Sequence, residues 1–302
     1  MTAKFVGGGI GYRRSYRAEL LDDGPGPRPE VLEIMPEHFY ARPSDIDALA
    51  ERYPIVFHCV GLSVGTACAD PAGDDVTRAE LERLRDLVRR ARPLYVSDHL
   101  AFTRSPSGVD LGHLCPLPYT EESYRLVARR VGVWQDALEV PFALENIAHP
   151  FAWPERVTEL DEGTFLAELH RDTGAGMLLD VTNLLYDARN FARTPGELLA
   201  RYPLAAAWAV HLAGGVIAPH DGFWTDTHDH PVDDDAFALL PEIAAAAPLR
   251  AAIVERDRRL PPLAELVHEA GRAAAIVRAR AAEQLAAQVA EQGAVDDTLA
   301  AG

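Results

Sequence analysis

Lysine is almost absent: Lys4 is the only one in 302 residues, and arginine supplies nearly all of the positive charge. That scarcity removes Schiff-base chemistry, which needs a buried lysine amine, because Lys4 precedes the first apolar run. Cysteine is scarce too. Cys59, Cys68 and Cys115 are odd in number and show no CxxC spacing. They suit neither a disulfide framework nor a thiolate zinc site, and point to a reducing compartment. The start, MTAKFVGGGIGYRRSY, lacks the apolar stretch of a secretory signal, and no run approaches membrane-spanning length. A cytoplasmic protein without a membrane anchor is expected. The net charge is −17, with no basic stripe interleaved with aromatics. Nucleic-acid partners are disfavoured, because phosphate recognition rests on clustered cations.

What the chain does have is a 48% apolar fraction, ample for a core. Short β-branched runs alternate with longer amphipathic stretches, the signature of βα units around a parallel sheet. Strands are expected near 5–10, 31–35, 55–60, 94–97, 141–145, 177–181, 207–212 and 251–255. Helices are expected near 15–22, 44–51, 77–91, 120–138, 161–173, 194–201, 235–246 and from 261 onward. Ser44 and Thr77 read as N-caps, Thr77 with Glu80 as a capping box, and Thr120 precedes Glu121 and Glu122. Eight such units make an α/β fold of the (β/α)8 TIM-barrel type. Residues 1–275 are expected to form one barrel domain, and 276–302 a helical extension ending in a disordered tail. Residues 61–76 and 213–235 read as long loops on the active face.

Residues that make good metal ligands recur where one strand after another ends. They are His58 in IVFHCVG, His99 in LYVSDHLAF, Glu145 in FALENIAH, Asp180 in MLLDVTN, His211 in AWAVHLAGG, the pair Asp226 and His228 in TDTHDHP, and Glu255 in AAIVERD. In a barrel of this kind active sites gather at the C-terminal strand ends. Single cases have plainer readings: a hydrogen-bonded strand-end histidine, or a carboxylate paired with one of the many arginines. The recurrence argues instead for one polar site holding several ions. His58 must face away from its neighbour Cys59. Asp98 is either a ligand or a partner fixing the ring of His99. Glu145 is the natural bridging carboxylate, since an unpaired carboxylate on a buried strand is too costly to stay ionised. Asn183 either joins Asp180 as a ligand or serves as an Asx-type turn residue. Asp229 and His230 are further candidates, and Glu33, Glu37 and His38 are weaker ones, of which Glu37 and His38 suit substrate contact. Nitrogen and oxygen donors without thiolate are compatible with zinc, manganese or non-heme iron.

The ordered motifs FHCVGLS, SDHLAF, ENIAH, LDVTN, VHLAGG, DTHDHPV and VERD resemble those of the multinuclear non-heme iron-dependent oxidative enzymes, from Gly9 to about Arg272. They are more distantly similar to trinuclear zinc endonucleases and metal-dependent sugar isomerases on the same barrel. The resemblance places His58, His99, Glu145, Asp180, Asn183, His211, Asp226, His228 and Glu255 on metal-ligand positions, with Glu145, Asp180 and His211 at the catalytic centre. It implies two or three irons in mixed ferrous and ferric states, O2 as co-substrate, and oxidation of cysteine residues in a ribosomally made precursor peptide. It also implies a small partner protein that delivers the peptide. Two places depart from the family pattern: GIGYRRSY lacks a histidine common after that turn, and Glu37-His38 stands where Glu-Asn is common. Arg13, Glu37 and His38 are therefore expected to contact substrate. The competing readings are a zinc phosphodiesterase, a sugar isomerase with zinc or manganese, and a non-catalytic metal-binding scaffold.

Overall fold

The computed structural model describes the backbone of residues 4–67, 75–154, 156–220 and 222–300, and the side chains of these apart from 75–77 and 288–300. Its strands are β1 (Gly7–Gly11), β2 (Val31–Ile34), β3 (Ile55–His58), β4 (Val96–His99), β5 (Ala101–Arg104), β6 (Asp110–Pro116), β7 (Phe142–Glu145), β8 (Gly176–Asp180), β9 (Ala207–Leu212), β10 (Val216–Ile217), β11 (Trp224–Thr225) and β12 (Ala251–Val254). Its helices are α1 (Arg17–Leu21), α2 (Asp47–Ala50), α3 (Asp75–Ala91), α4 (Glu121–Leu138), α5 (Glu162–Thr173), α6 (Val181–Asn190), α7 (Pro195–Leu199), α8 (Asp234–Ala246) and α9 (Leu263–Ala300). Eight strands close into a parallel barrel in the order β1-β12-β9-β8-β7-β4-β3-β2. The (β/α)8 barrel is as the alternation predicts.

Successive side chains of a strand face opposite ways, and the barrel uses that period to make two layers. In one phase, Val31, Val56, Tyr95, Ala143, Leu178, Ala209, Ala251 and Ile253 form an apolar plug. The other phase, which includes Leu32, Phe57, Val96, Leu144, Leu179 and Val254, belongs to the larger core that also takes in the helices. Cys59 lies in that larger core, opposite in phase to His58. Two residues beyond the plug, on the same phase, stand Glu33, His58, Glu145, Asp180, His211 and Glu255. The polar layer thus rests on a dry floor.

β1 is glycine-built for a packing reason. A Cβ on Gly8 would collide with the carbonyl of Ala270, so α9 seats directly against β1.

Several elements differ from the sequence expectation. Residues 181–190 form α6 at once after β8, because the Asp180 side chain accepts from Asn183 N and caps the helix; the apolar run LLDVTNLLYDA masks that boundary. The chain between β4 and α4 folds into the β5–β6 hairpin, and the predicted loop at 213–235 contains the β10–β11 pair. Thr120 caps α4 in a reciprocal box with Ser123 rather than with the glutamates. Ser44 lies inside a short 3-10 turn, Pro43–Ile46, that has no side-chain cap. The helix expected from Thr77 begins earlier, at Asp75. The Thr77 side chain and Cys68 lie outside the described residues.

Candidate metal centre

Register brings the predicted residues face to face. His99 lies opposite Glu145 across β4 and β7, and Asp180 opposite His211 across β8 and β9. Four overlapping groups have their ligand atoms within 4.8 Å of one another: Glu33, His58 and His211; His58, His99 and Glu145; Glu145, Asp180, His211 and Glu255; and Asp180, Asp226 and His228. Glu145 belongs to two of them and links the halves of the site.

The first triad shows what the site can hold. His58 Nε2 is 3.3 Å from His99 Nε2 and 3.2 Å from Glu145 Oε2, and His99 Nε2 is 3.6 Å from that oxygen. A point equidistant from these three atoms lies about 2 Å from each, the separation of a metal ion from such donors. The ring nitrogens are aimed by their partners. Ser97 Oγ donates to Phe57 O at 3.1 Å, so it accepts the Nδ1 proton of His58 at 3.0 Å and leaves the Nε2 lone pair facing the cluster. Asp98 Oδ1 stands 3.4 Å from His99 Nδ1, a charge contact without a hydrogen bond, and accepts from His99 N at 2.7 Å. Asp98 is therefore placed as a partner of His99, with Oδ2 accepting from Ser63 N at 3.1 Å.

His211 is wholly buried between carboxylates. Its Nε2 is 2.6 Å from Glu33 Oε2, while Nδ1 lies 3.2 Å from Glu145 Oε1 and 3.0 Å from Glu255 Oε2. Glu33 is the residue that sequence reasoning undervalued; its signal was its phase, two positions beyond Val31. On the far side, Asp226 Oδ2 is 2.7 Å from His228 Nε2. His228 adopts a left-handed backbone, φ 50°, a cost that must be met by its surroundings. Asp257 meets it twice: its N–H donates to His228 O at 2.7 Å, and its Oδ2 is 3.2 Å from Nδ1.

Asn183 lies in the first turn of α6: its N–H donates to Asp180 Oδ1 at 2.6 Å, and its Nδ2 to Asn146 O at 3.1 Å. The three expected substrate contacts stand in different surroundings, with only Arg13 lining the cavity described below. Arg13 pairs with Asp257 at the cavity rim. Glu37 turns its Oε1 to Val60 N and Gly61 N, 2.9 and 3.1 Å away, and burial pushes its carboxyl up to about 7. His38 is exposed. His230 pairs with Asp229 at 2.6 Å, outside the four groups.

Burial works against charge on every one of these groups. At Glu145 the imidazoles of His211, His58 and His99 overcome it and the carboxyl falls to about 2. Glu255 is also held low against burial, by His211 and His228. Burial drives His58 down to about 3, so the ring is neutral. Asp180 is pushed well up, first by burial and then by the charges of Asp226 and Glu145. Among the described residues, Glu145 Oε2, Asp180 Oδ2, Asp226 Oδ1 and His211 Nδ1 are buried without a hydrogen-bond partner. Crowded carboxylates that repel one another, and orphaned acceptors in a shared space, are what bound cations would satisfy. The residues fit a multinuclear metal centre. A cavity of about 570 Å3 opens over it, lined by His58, His99, His228 and Glu255.

The chain is similar to known proteins over most of its length. The chain is 38% identical over 270 residues to a UPF0276 protein of Caulobacter vibrioides, covering 88% of this chain and 92% of that one. It is 36% identical over 274 residues to a UPF0276 protein of Chromobacterium violaceum, covering 89% and 94%. Among solved structures it is similar to the IolI protein with a binding zinc atom, with TM-score 0.54, 16% identity, and 91% and 96% of the two chains covered. It is similar also to the TTHB071 protein from Thermus thermophilus soaked with ZnCl2, with TM-score 0.52, 18% identity, and 94% and 99% covered. These two likenesses show the xylose-isomerase-like TIM-barrel fold. The family model of the RiPP precursor modification enzyme MbnB/TglH/ChrH matches residues 7–278. With nearly the whole barrel matched, the chain belongs to the MbnB/TglH/ChrH family of multinuclear non-heme iron-dependent oxidative enzymes.

Proposed function

We propose that the protein is a multinuclear iron, O2-dependent oxidase that modifies cysteine residues of a ribosomally synthesised precursor peptide. The single observation that carries this reading is the continuous set of nitrogen and oxygen donors from His58 to Glu255, joined through Glu145. Family membership supports a precursor peptide as substrate, and a small delivery partner belongs to the same reading. The proposed ligands are His58, His99, Glu145, Asp180, His211, Asp226, His228 and Glu255, with Asn183 able to add only its amide oxygen, since its Nδ2 is held by Asn146 O. Two or three bound irons would supply the one-electron chemistry and the activation of O2.

The chain's own residues do the rest. The apolar plug beneath the ligands excludes water from below. Glu33 and Ser97 keep the rings of His211 and His58 in the orientation that turns a lone pair inward. The cavity over His99 and His228 gives a peptide side chain its approach. Zinc suits the same donors, and hydrolysis by metal-activated water is the reading that would replace this one. Elemental analysis and Mössbauer spectroscopy of protein purified without oxygen test the choice, followed by O2 uptake with a cysteine peptide. Two or three irons per chain and thiol-dependent O2 uptake are expected. Stoichiometric zinc without iron, after growth in iron-rich medium, would overturn the proposal.

A further inference from the structure

A second cavity, of about 480 Å3, shares no lining residue with the cavity over the candidate metal centre. It forms where the β7–α5 connection meets the start of α5, the end of α6 and α7. Its walls include Leu160, Phe191 and Leu198, and its polar floor is a relay of buried groups. Asp187 accepts from His149 Nδ1 at 2.6 Å and from His149 N at 2.8 Å. His149 Nε2 is 3.1 Å from Tyr119 OH, which donates to Glu162 Oε1 at 2.9 Å, and Tyr202 OH donates to Glu162 Oε2.

Hydrogen-bonding capacity in this cavity is lopsided. The acidic groups are all committed: Asp187 to His149, Glu162 to two tyrosines, and Asp161 to Thr164 N and Oγ1 at 3.0 Å each. What remains is donors. Trp153 lines the cavity, and its indole Nε1–H is buried without an acceptor among the described residues; a buried indole N–H ordinarily has one. Arg193 and Arg201 line the same cavity from exposed positions, make no side-chain hydrogen bond or ion pair within 4 Å among the described residues, and act only at longer range on the carboxylate of Glu197. His149 adds positive charge to the floor: burial alone would lower it, but Glu162 and Asp187 raise it to about 9.

From this surplus of donors we infer that the second cavity binds a carboxylate borne on an apolar body, through Trp153, Arg193 and Arg201. A planar carboxylate matches the guanidinium fork, and the apolar walls take the attached group. Two sources share this chemistry: a small free carboxylic acid, or a carboxylate of the peptide substrate. The second source rests on the function proposed above; the first does not.

The indole 1H–15N resonances of the full-length protein report on the site directly, Trp153 being assigned with Trp153→Phe. The probes are 3-phenylpropionate with its neutral amide as control, and the peptide acetyl-Ala-Ala-Phe as free acid and as carboxamide. Saturable movement of the Trp153 resonance with either acid is expected, with at least tenfold weaker binding in Arg193→Gln/Arg201→Gln and little response to the amides. The tighter acid identifies the source. No movement at millimolar acid, equal response to the amides, or unchanged binding in the double variant would overturn the inference. Iron content measured on the same samples keeps this outcome separate from that of the oxidase proposal.

Discussion

Glu33 Oε2 lies 2.6 Å from His211 Nε2, and both side chains are buried at the point where β2 and β9 face each other across the barrel. The carboxylate takes one ring nitrogen and so leaves the other, without a hydrogen-bond partner, facing Glu145 and Glu255. Outer carboxylates of this kind are worth roughly 10–100-fold in metal affinity or activity. Glu33→Gln is expected to fold normally by circular dichroism and to lose about that factor. Unchanged metal affinity would show that His211 orients itself.

Glu145 carries the link between the two halves of the site. Glu145→Gln is expected to lower the metal stoichiometry by at least one ion per chain and to abolish turnover. Full loading by elemental analysis would remove the bridging role.

Asp257 holds a strained residue in place. Asp257→Asn keeps the backbone bond to His228 O but weakens the contact at Nδ1. The expected result is selective loss of the ion served by Asp180, Asp226 and His228, with the His58–His99–Glu145 position still filled. Competition with a graded chelator, read by spectroscopy, separates the two. Equal loss at both positions would contradict it.

His149 ties stability to alkaline pH. Its folded-state value, about 9, stands above the ordinary histidine value of 6.5. Protonated His149 therefore stabilises the fold fully below about 6.5, and that contribution is lost as pH rises through about 9. Linkage bounds it at about 3 kcal/mol. Thermal melts of the wild type between pH 6 and 10 should show this alkaline loss, and His149→Asn should flatten it. An identical slope in the variant would assign the loss elsewhere.

Gly8 lets α9 sit on the first strand. Gly8→Ala forces a methyl into the Ala270 carbonyl, and overpacking of this kind costs about 1–3 kcal/mol. A lowered melting temperature is expected, and an unchanged one would mean that α9 shifts freely.

Much of the site was legible because barrel strands alternate with period two and the ligands share one phase. His58, His99, Glu145, Asp180 and His211 each close an apolar run, and that pattern survives without any tertiary information. What was not legible depended on contacts between distant segments. Asp257 holds His228 across 29 positions. Glu33 is defined by a partner 178 positions away. The sequence leaves open whether a loop or a helical turn follows Asp180, and no helix is expected over 181–190, because α6 is buried on most faces and starts on a capping aspartate that also belongs to the site. Glu37 and Arg13 read as substrate contacts, and the sequence does not show their partners in the fold, the backbone of residues 60 and 61 and Asp257.

The closing seam of the barrel, where β12 pairs with β1, also governs when the site can exist. Glu255 follows β12 directly, so the final donor arrives only with the strand that shuts the cylinder. A nascent or truncated chain ending before that seam holds a partial set of ligands and no closed barrel. On the function proposed above, metal uptake would be coupled to completion of the fold, and a fragment could not carry the full donor set.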